Sequence, residues 1–290
     1  MNRKLIFTDL DGTLLTRDKK IKDESVRIIK ALTAQGHYFC FMTGRAMSDA
    51  KPYYDQLGLD TLCICNNGAA IHNPRDEDFR DIFFPMNKQI MLKLSESKEI
   101  MKSVQHFVIK TRHYTFVNKV PKEKHLVENF KTWFHLDFSK IKNIKRDALI
   151  TFKNRKSDIL SIILVLQPNT DVKNIYRAIK SITNNLLLTH WSIDNRDYKD
   201  HGHIIIELNH NFANKYNAIR FVQSYYDVLD ADTYVFGDGE NDTQPLHSLE
   251  NSYAMSNASS HAMSVAHHIT KESNDNDGMA LTLEELFMPK

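Results

Sequence analysis

Asp9 and Asp11 stand two residues apart in Phe7-Thr8-Asp9-Leu10-Asp11-Gly12-Thr13, directly behind a short apolar run. Alternate side chains of an extended chain share one side, so the two carboxylates project together. Far along the chain, Gly237-Asp238-Gly239-Glu240-Asn241-Asp242 places two more carboxylates behind another apolar run. Four carboxylates in one cleft repel one another unless a cation joins them, and all-oxygen donors favour a hard ion such as Mg²⁺. That ion takes one or two protein carboxylates and fills its shell with water and phosphate oxygens. The late segment is no EF-hand loop, because the closing bidentate Glu is missing.

A phosphoryl group suits such a cation. Thr43 offers a hydroxyl, Gly44 an accessible backbone N–H, and Lys215 a positive charge at the expected start of a helix over residues 215–229. A helix start adds free N–H groups for an anion. Phosphoryl transfer needs mainly positioning and charge neutralisation. No Ser–His or Cys–His pair stands at a strand end, so the expected nucleophile is a carboxylate. Asp9 would attack phosphorus to give an aspartyl phosphate, while Asp11 protonates the leaving oxygen and then activates water. Arg45 reads as a helix-start residue pairing with a nearby acid. Asn67, in Asn66-Asn67-Gly68, either forms a turn or contacts the site; both readings stay open.

These residues need a scaffold that brings distant strand ends together. Lys4-Leu5-Ile6-Phe7 and the apolar runs within residues 37–42, 61–65, 204–208 and 233–236 lack polar alternation, as strands buried on both faces do. Between them, Val26, Ile29 and Leu32 recur at helical spacing with Gly36 placed to stop the helix, and Ala218, Ile219, Val222, Tyr225, Tyr226 and Leu229 form a second stripe. Strands alternating with helices give an α/β fold with a doubly wound, Rossmann-like parallel sheet, which binds ligands beyond the carboxyl ends of its strands.

Charge and glycine divide the 290 residues. The net charge is only +2, yet residues 86–203 carry +11 and the remainder −9. None of the nine glycines falls between Gly68 and Gly202. The expected organisation is a discontinuous core domain, residues 1–85 and 203–290, holding an inserted α/β cap, residues 86–202. In the insertion, residues 107–109, 114–117, 149–152 and 159–166 read as strands and residues 122–134 and 171–183 as amphipathic helices. A cap excludes water and selects the leaving group, and its positive charge attracts anions. No apolar run is long enough for a membrane span, and the amino-terminal run meets Asp9 too soon for a signal peptide. Cys40, Cys63 and Cys65 make no disulfide framework, Cys63 and Cys65 reading as small buried hydrophobes. The expected compartment is the cytoplasm. Seven basic residues from Lys140 to Lys156 lack any accompanying nucleic-acid motif, so a solvated basic face is expected there.

Phe7-Thr8-Asp9-Leu10-Asp11-Gly12-Thr13-Leu14, Thr43-Gly44-Arg45, Lys215 and Gly237-Asp238-Gly239-Glu240-Asn241-Asp242 together resemble, in order, the four motifs of the haloacid dehalogenase-like hydrolases. The insertion between the second and third motifs, Asn67-Gly68-Ala69 and Asp277-Gly278-Met279-Ala280 resemble the Cof-type phosphatases of that superfamily, which act on sugar phosphates and related small esters. The resemblance implies Asp9 as nucleophile, Asp11 as acid/base, and Thr43, Gly44, Lys215 and Asn241 around the phosphoryl group. It also implies Mg²⁺ held by Asp9, the backbone carbonyl of Asp11, and Asp238, with Asp242 anchoring Lys215 or a metal-bound water. Asn67 and Arg45 are supporting candidates. The expected partner is a small phosphorylated metabolite, and neither membrane nor nucleic acid is expected.

Two alternatives stand beside this reading. A phosphotransferase or mutase would pass the phosphoryl group to a second substrate rather than to water. A receiver-like regulator would hold phosphate on a similar acidic pocket without turnover, but Asp11, two residues after Asp9, promotes hydrolysis of the aspartyl phosphate that a receiver must preserve.

Overall fold

The computed structural model describes residues 3–119, 127, 130, 141–143, 158–192 and 203–288. Apart from residues 127, 130 and 141–143, the expected helix over 122–134, the strand over 149–152 and the basic stretch 140–156 lie outside the described residues. The chain forms two compact units, Met1–Ile82 with Ala213–Lys290, and Phe83–Phe212.

In the first unit, β1 (Leu5–Thr8) leads through α1 (Asp23–Ala34) to β2 (Tyr38–Phe41), then through α2 (Met47–Leu57) to β3 (Cys63–Cys65). Every residue of β1 is buried, as its unbroken apolar run predicts for a central strand. Ser25, Ile28, Ile29 and Leu32 form the buried face of α1. After β3 the chain turns through Asn66–Gly68 into β4 (Ala70–His72), which pairs antiparallel with β3 and is followed by β5 (Ile82–Phe83). The unit resumes with α6 (Lys215–Tyr226), β12 (Thr233–Gly237), α7 (Thr243–Ser248), β13 (Asn251–Ala254), α8 (Ser260–Val265), β14 (His268–Ile269) and α9 (Gly278–Phe287).

The main sheet runs β14-β13-β12-β1-β2, every pair parallel, with Leu5 opposite both Thr233 and Tyr38. β3 extends it through a parallel bridge between Met42 and Ile64 and the bond from the Thr43 N–H to the Ile64 carbonyl. The ends of β1, β2, β3 and β12 therefore lie along one edge. This is the doubly wound, Rossmann-like sheet that the apolar runs predict. The helix after Lys215 ends earlier than its stripe suggests. Asp227 takes a left-handed φ of 54°, and Leu229 is left 73% exposed beyond the helix.

The second unit is a mixed α/β insertion. It contains α3 (Lys88–Glu96), α4 (Lys98–Met101), β6 (Val104–Thr111), β7 (Thr115–Val117), β8 (Ile141–Asn143), β9 (Ile159–Leu166), α5 (Val172–Ile182), β10 (Leu186–Ser192) and β11 (Ile204–His210). Its sheet runs β10-β11-β9-β6-β7-β8 and is antiparallel except between β7 and β8. Phe107, Ile109, Ile162, Leu164, Ile206 and Leu208 from one sheet face pack with Met91, Leu94, Ile100, Ile175 and Ile179 of the helices. The run at residues 204–208, expected in the parallel sheet, instead forms β11 between β10 and β9. Its opening Ile204-Ile205-Ile206 is an apolar run that fits either setting, while Glu207 and Asn209 then alternate with Ile206 and Leu208. Among the described residues, no helix is long and apolar enough to cross a membrane.

Candidate active site

Asp9 continues the line of β1, its N–H donating to the Phe236 carbonyl at 3.0 Å. The chain then folds back on itself, with the Leu14 and Leu15 N–H groups donating to the Asp9 and Leu10 carbonyls. Gly12 makes the reversal possible. Its φ is +79°, and a Cβ there would run into the Asp238 carboxylate. Thr13 Oγ1 donates to Asp238 Oδ1 at 2.8 Å, so the first acidic loop seats the second.

Asp238 follows β12, which ends at Gly237. A Cβ on Gly237 would stand 2.5 Å from the Asp242 side chain, so Asp242 folds back directly over the strand end. Asp242 Oδ2 accepts from the Asp238 and Gly239 N–H groups, both at 3.0 Å, and Oδ1 accepts from Lys215 Nζ at 2.6 Å. Lys215 opens α6, whose amino end is capped by Asn214 Oδ1 accepting from the Asn217 N–H. Only 1% exposed, Lys215 reaches to 3.2 Å from Asp9 Oδ1. Burial alone would lower its pKa, but Asp242 and Asp9 hold it above the ordinary lysine range.

Carboxylate oxygens of Asp9, Asp238 and Asp242 lie within 4.8 Å of one another. Three carboxylates face one ammonium, so the pocket carries surplus negative charge in a poorly solvated setting. Burial first, then Asp242 and Asp11, raise Asp9 from 3.8 to about 7, against the opposing pull of Lys215. Burial and the charges of Asp9 and Asp242 likewise hold Asp238 well above the ordinary range. Asp9 Oδ1 is buried and, beyond the 3.2 Å ion pair with Lys215, meets no well-aligned donor. A buried carboxylate oxygen met by a single ammonium, beside a second raised carboxylate, fits a hard cation. Although it belongs to the same acidic group, Asp242 fits that role poorly, because both its oxygens are already engaged by Lys215 and two backbone N–H groups.

Asp11 projects elsewhere. Arg45 grips it with a two-pronged fork, Nε to Oδ2 and Nη2 to Oδ1, both 2.7 Å, and Lys19 Nζ reaches Oδ1 at 2.7 Å. The Arg45 guanidinium also sits over the Tyr53 ring, 5.2 Å from its centre. Thr43 is fully buried, its Oγ1 accepting from the Arg45 N–H at 3.1 Å. Asn241 Nδ2 donates to Asn67 Oδ1 at 2.9 Å, and the same oxygen lies 3.0 Å from where a Gly44 Cβ would be.

All ten candidate residues thus fall in the first unit, around the carboxyl ends of β1, β2, β3 and β12. Sequence reasoning missed Thr13, Lys19 and Asn257. Thr13 lies within the first motif and signalled itself only by adjacency. Asn257 Nδ2 donates to the Gly12 carbonyl at 2.8 Å, and its Oδ1 accepts from the Asn274 N–H at 2.9 Å, a bracing of the acidic loop that no local pattern announces.

Residues 6–283 match the family of haloacid dehalogenase-like hydrolases. The chain belongs to this family. The 5-amino-6-(5-phospho-D-ribitylamino)uracil phosphatase YitU of Bacillus subtilis is 26% identical over 285 residues, spanning 98% of this chain and 97% of that protein. A Bacillus subtilis haloacid dehalogenase-like hydrolase superposes with a TM-score of 0.77 at 22% identity, covering 98% of this chain and 100% of its own. BT1666 from Bacteroides thetaiotaomicron, described among the phosphatases of the superfamily, gives 0.76 at 23% identity over 98% and 94% of the two chains. These structures share the fold. The chain is an enzyme, a haloacid dehalogenase-like phosphatase.

Proposed function

We propose that the chain hydrolyses a small phosphate monoester, a sugar phosphate or a phosphorylated cofactor, in two steps through an aspartyl phosphate on Asp9. The observation that carries this reading is Asp9 itself: a buried carboxylate whose Oδ1 meets only the Lys215 ammonium, beside a second raised carboxylate. Asp9 and Asp238, with the backbone carbonyl of Asp11, would hold Mg²⁺, which when bound offsets their charge and that of the phosphoryl oxygens.

Lys215, held by Asp242, neutralises the phosphoryl group beside the attacking oxygen. The Thr43 hydroxyl, the Gly44 N–H and the Asn241 amide bind its remaining oxygens. Asp11 delivers a proton to the departing alcohol oxygen and then takes one from the water that cleaves the aspartyl phosphate. In the first step Asp9 attacks and the alcohol leaves with the proton. In the second, water attacks phosphorus, gives up a proton and displaces Asp9, so one carboxyl serves both in turn. Arg45 and Lys19 keep that carboxyl apart from Asp9 and Asp238 until substrate arrives. The insertion, proposed as residues 86–202, selects the leaving group, and its net positive charge draws in anionic substrates. The proposed compartment is the cytoplasm.

The relation to YitU, named as a phosphatase of a phosphoribityl compound, supports a small phosphorylated metabolite as substrate. The test is release of phosphate from p-nitrophenyl phosphate and from a panel of phosphorylated metabolites, with Mg²⁺ and with chelator. Metal-dependent turnover lost in Asp9→Asn supports the reading; turnover that survives that substitution refutes the aspartyl phosphate. An added acceptor alcohol that becomes phosphorylated in preference to water would make the enzyme a phosphotransferase.

A further inference from the structure

Three consecutive residues at the end of β3 have left-handed backbone: Asn66 (φ 50°), Asn67 (φ 55°) and Gly68 (φ 92°). A residue with a Cβ adopts that conformation at a cost, and a run of them persists only where the surroundings over-determine it. Here the surroundings are the loops of the active site. The Asn66 N–H donates to the Arg45 carbonyl at 2.9 Å, and the Asn67 N–H to the Thr43 carbonyl at 3.0 Å. Gly68 packs so tightly on the Asn214 backbone that any Cβ would enter the Asn214 carbonyl, and Asn214 caps the helix that begins with Lys215. A reversal between β3 and β4 alone would require none of these contacts.

The turn also aims the Asn67 side chain. Its Oδ1 accepts from Asn241 Nδ2 at 2.9 Å and lies against Gly44, where a Cβ would be only 3.0 Å away. Because Asn67 presents an acceptor, the Asn241 amide is held with its nitrogen toward Asn67 and cannot flip without losing the bond. The alternating backbone bonds to residues 43 and 45 place this acceptor between the two phosphate-binding segments.

We propose that Asn67 is a positioning residue, holding the Asn241 amide and the Thr43–Gly44 backbone in the arrangement that receives the phosphoryl group. The left-handed turn is what directs its amide there. The inference rests on the phosphatase reading and adds that phosphate affinity is tuned through a residue whose backbone conformation is kept for that purpose.

Asn67→Gly separates the two roles, because glycine accepts the left-handed backbone freely while lacking the amide. The readouts, on the full chain with Mg²⁺, are inhibition of p-nitrophenyl phosphate hydrolysis by inorganic phosphate, kcat and KM, and the thermal midpoint. Asn67→Gly is expected to weaken phosphate inhibition roughly two- to tenfold, the loss one hydrogen bond spans, with the thermal midpoint unchanged or raised. Combined with Asn241→Ala its effect should be clearly less than additive, since the bond between the two amides is common to both. Asn67→Ala, which forces a Cβ into the left-handed turn, should lower the midpoint in addition. Phosphate inhibition as in wild type in Asn67→Gly, or full additivity with Asn241→Ala, overturns the proposal. A wild-type protein with neither metal-dependent turnover nor phosphate inhibition would instead refute the phosphatase reading, and the positioning role with it.

Discussion

Asp9→Asn removes a proposed nucleophile and a buried charge while keeping the shape of the side chain, so activity and stability should move in opposite directions. Folding raises the Asp9 carboxyl from 3.8 to about 7. At about 1.4 kcal/mol per tenfold, that gap amounts to about 4 kcal/mol. For an acid raised on folding, the native state binds the extra proton, so stability falls as pH climbs from about 4 to about 7 and is level above. At pH 8 without metal the whole cost is present; at pH 4 it is nearly gone. Asparagine carries no such cost, and the 3.2 Å pairing with Lys215 that it gives up is already contained in that gap, Lys215 still keeping Asp242. The expected net gain is therefore about 1–4 kcal/mol at pH 8 in chelator, shrinking towards zero at pH 4, measured by urea denaturation. Added Mg²⁺ should stabilise the wild type more than the variant and narrow or reverse their order. Hydrolysis of p-nitrophenyl phosphate should fall at least ~10³-fold. A variant less stable than wild type at pH 8 in chelator, or one that retains turnover, would refute the argument that this carboxylate is strained by burial for chemistry.

Other substitutions probe the same frame. Gly12→Ala adds a Cβ that meets the Asp238 carboxylate at φ +79°, and should cost about 1–2 kcal/mol or more in urea unfolding together with most of the activity. Lys215→Met leaves Asp9 and Asp242 without their buried cation. It should destabilise the metal-free protein by about 3–5 kcal/mol at pH 8, less on acidification as the carboxylates take up protons, and weaken inhibition by phosphate. Asp11→Asn should slow turnover about 10²–10⁴-fold while leaving the Mg²⁺-induced rise in thermal midpoint largely intact, because only its backbone carbonyl is proposed as a ligand. Loss of that thermal shift would move the Asp11 side chain into the metal site.

Much of the site was legible because its chemistry is written in local residue types. Asp9, Thr43, Asn67 and Asp238 each follow a short apolar run, and strand ends that share one edge of a parallel sheet must converge. Gly12 and Gly237 stand at close approaches, each opposite a carboxylate. Less legible was anything depending on which surface an apolar run meets. Ile204-Ile205-Ile206 reads as a parallel core strand yet opens β11 in the antiparallel sheet of the insertion, because so short an apolar run has the same imprint in either setting. Leu229 continues a helical stripe on paper and is solvent-exposed in fact, because Asp227 ends the helix first.

The amino-acid sequence by itself determined which groups are present: four carboxylates, a lysine at a helix start, a hydroxyl, two amides, and glycines where backbone must turn. Only the tertiary structure decided how each carboxylate is employed. Asp242 is consumed by Lys215 and two N–H groups, Asp11 is gripped by Arg45 and Lys19, and Asp9 and Asp238 are left facing one another. The reason is physical: a carboxylate's role depends on the donors and charges within a few ångströms. Here those neighbours come from loops widely separated along the chain, which meet only once the sheet has formed.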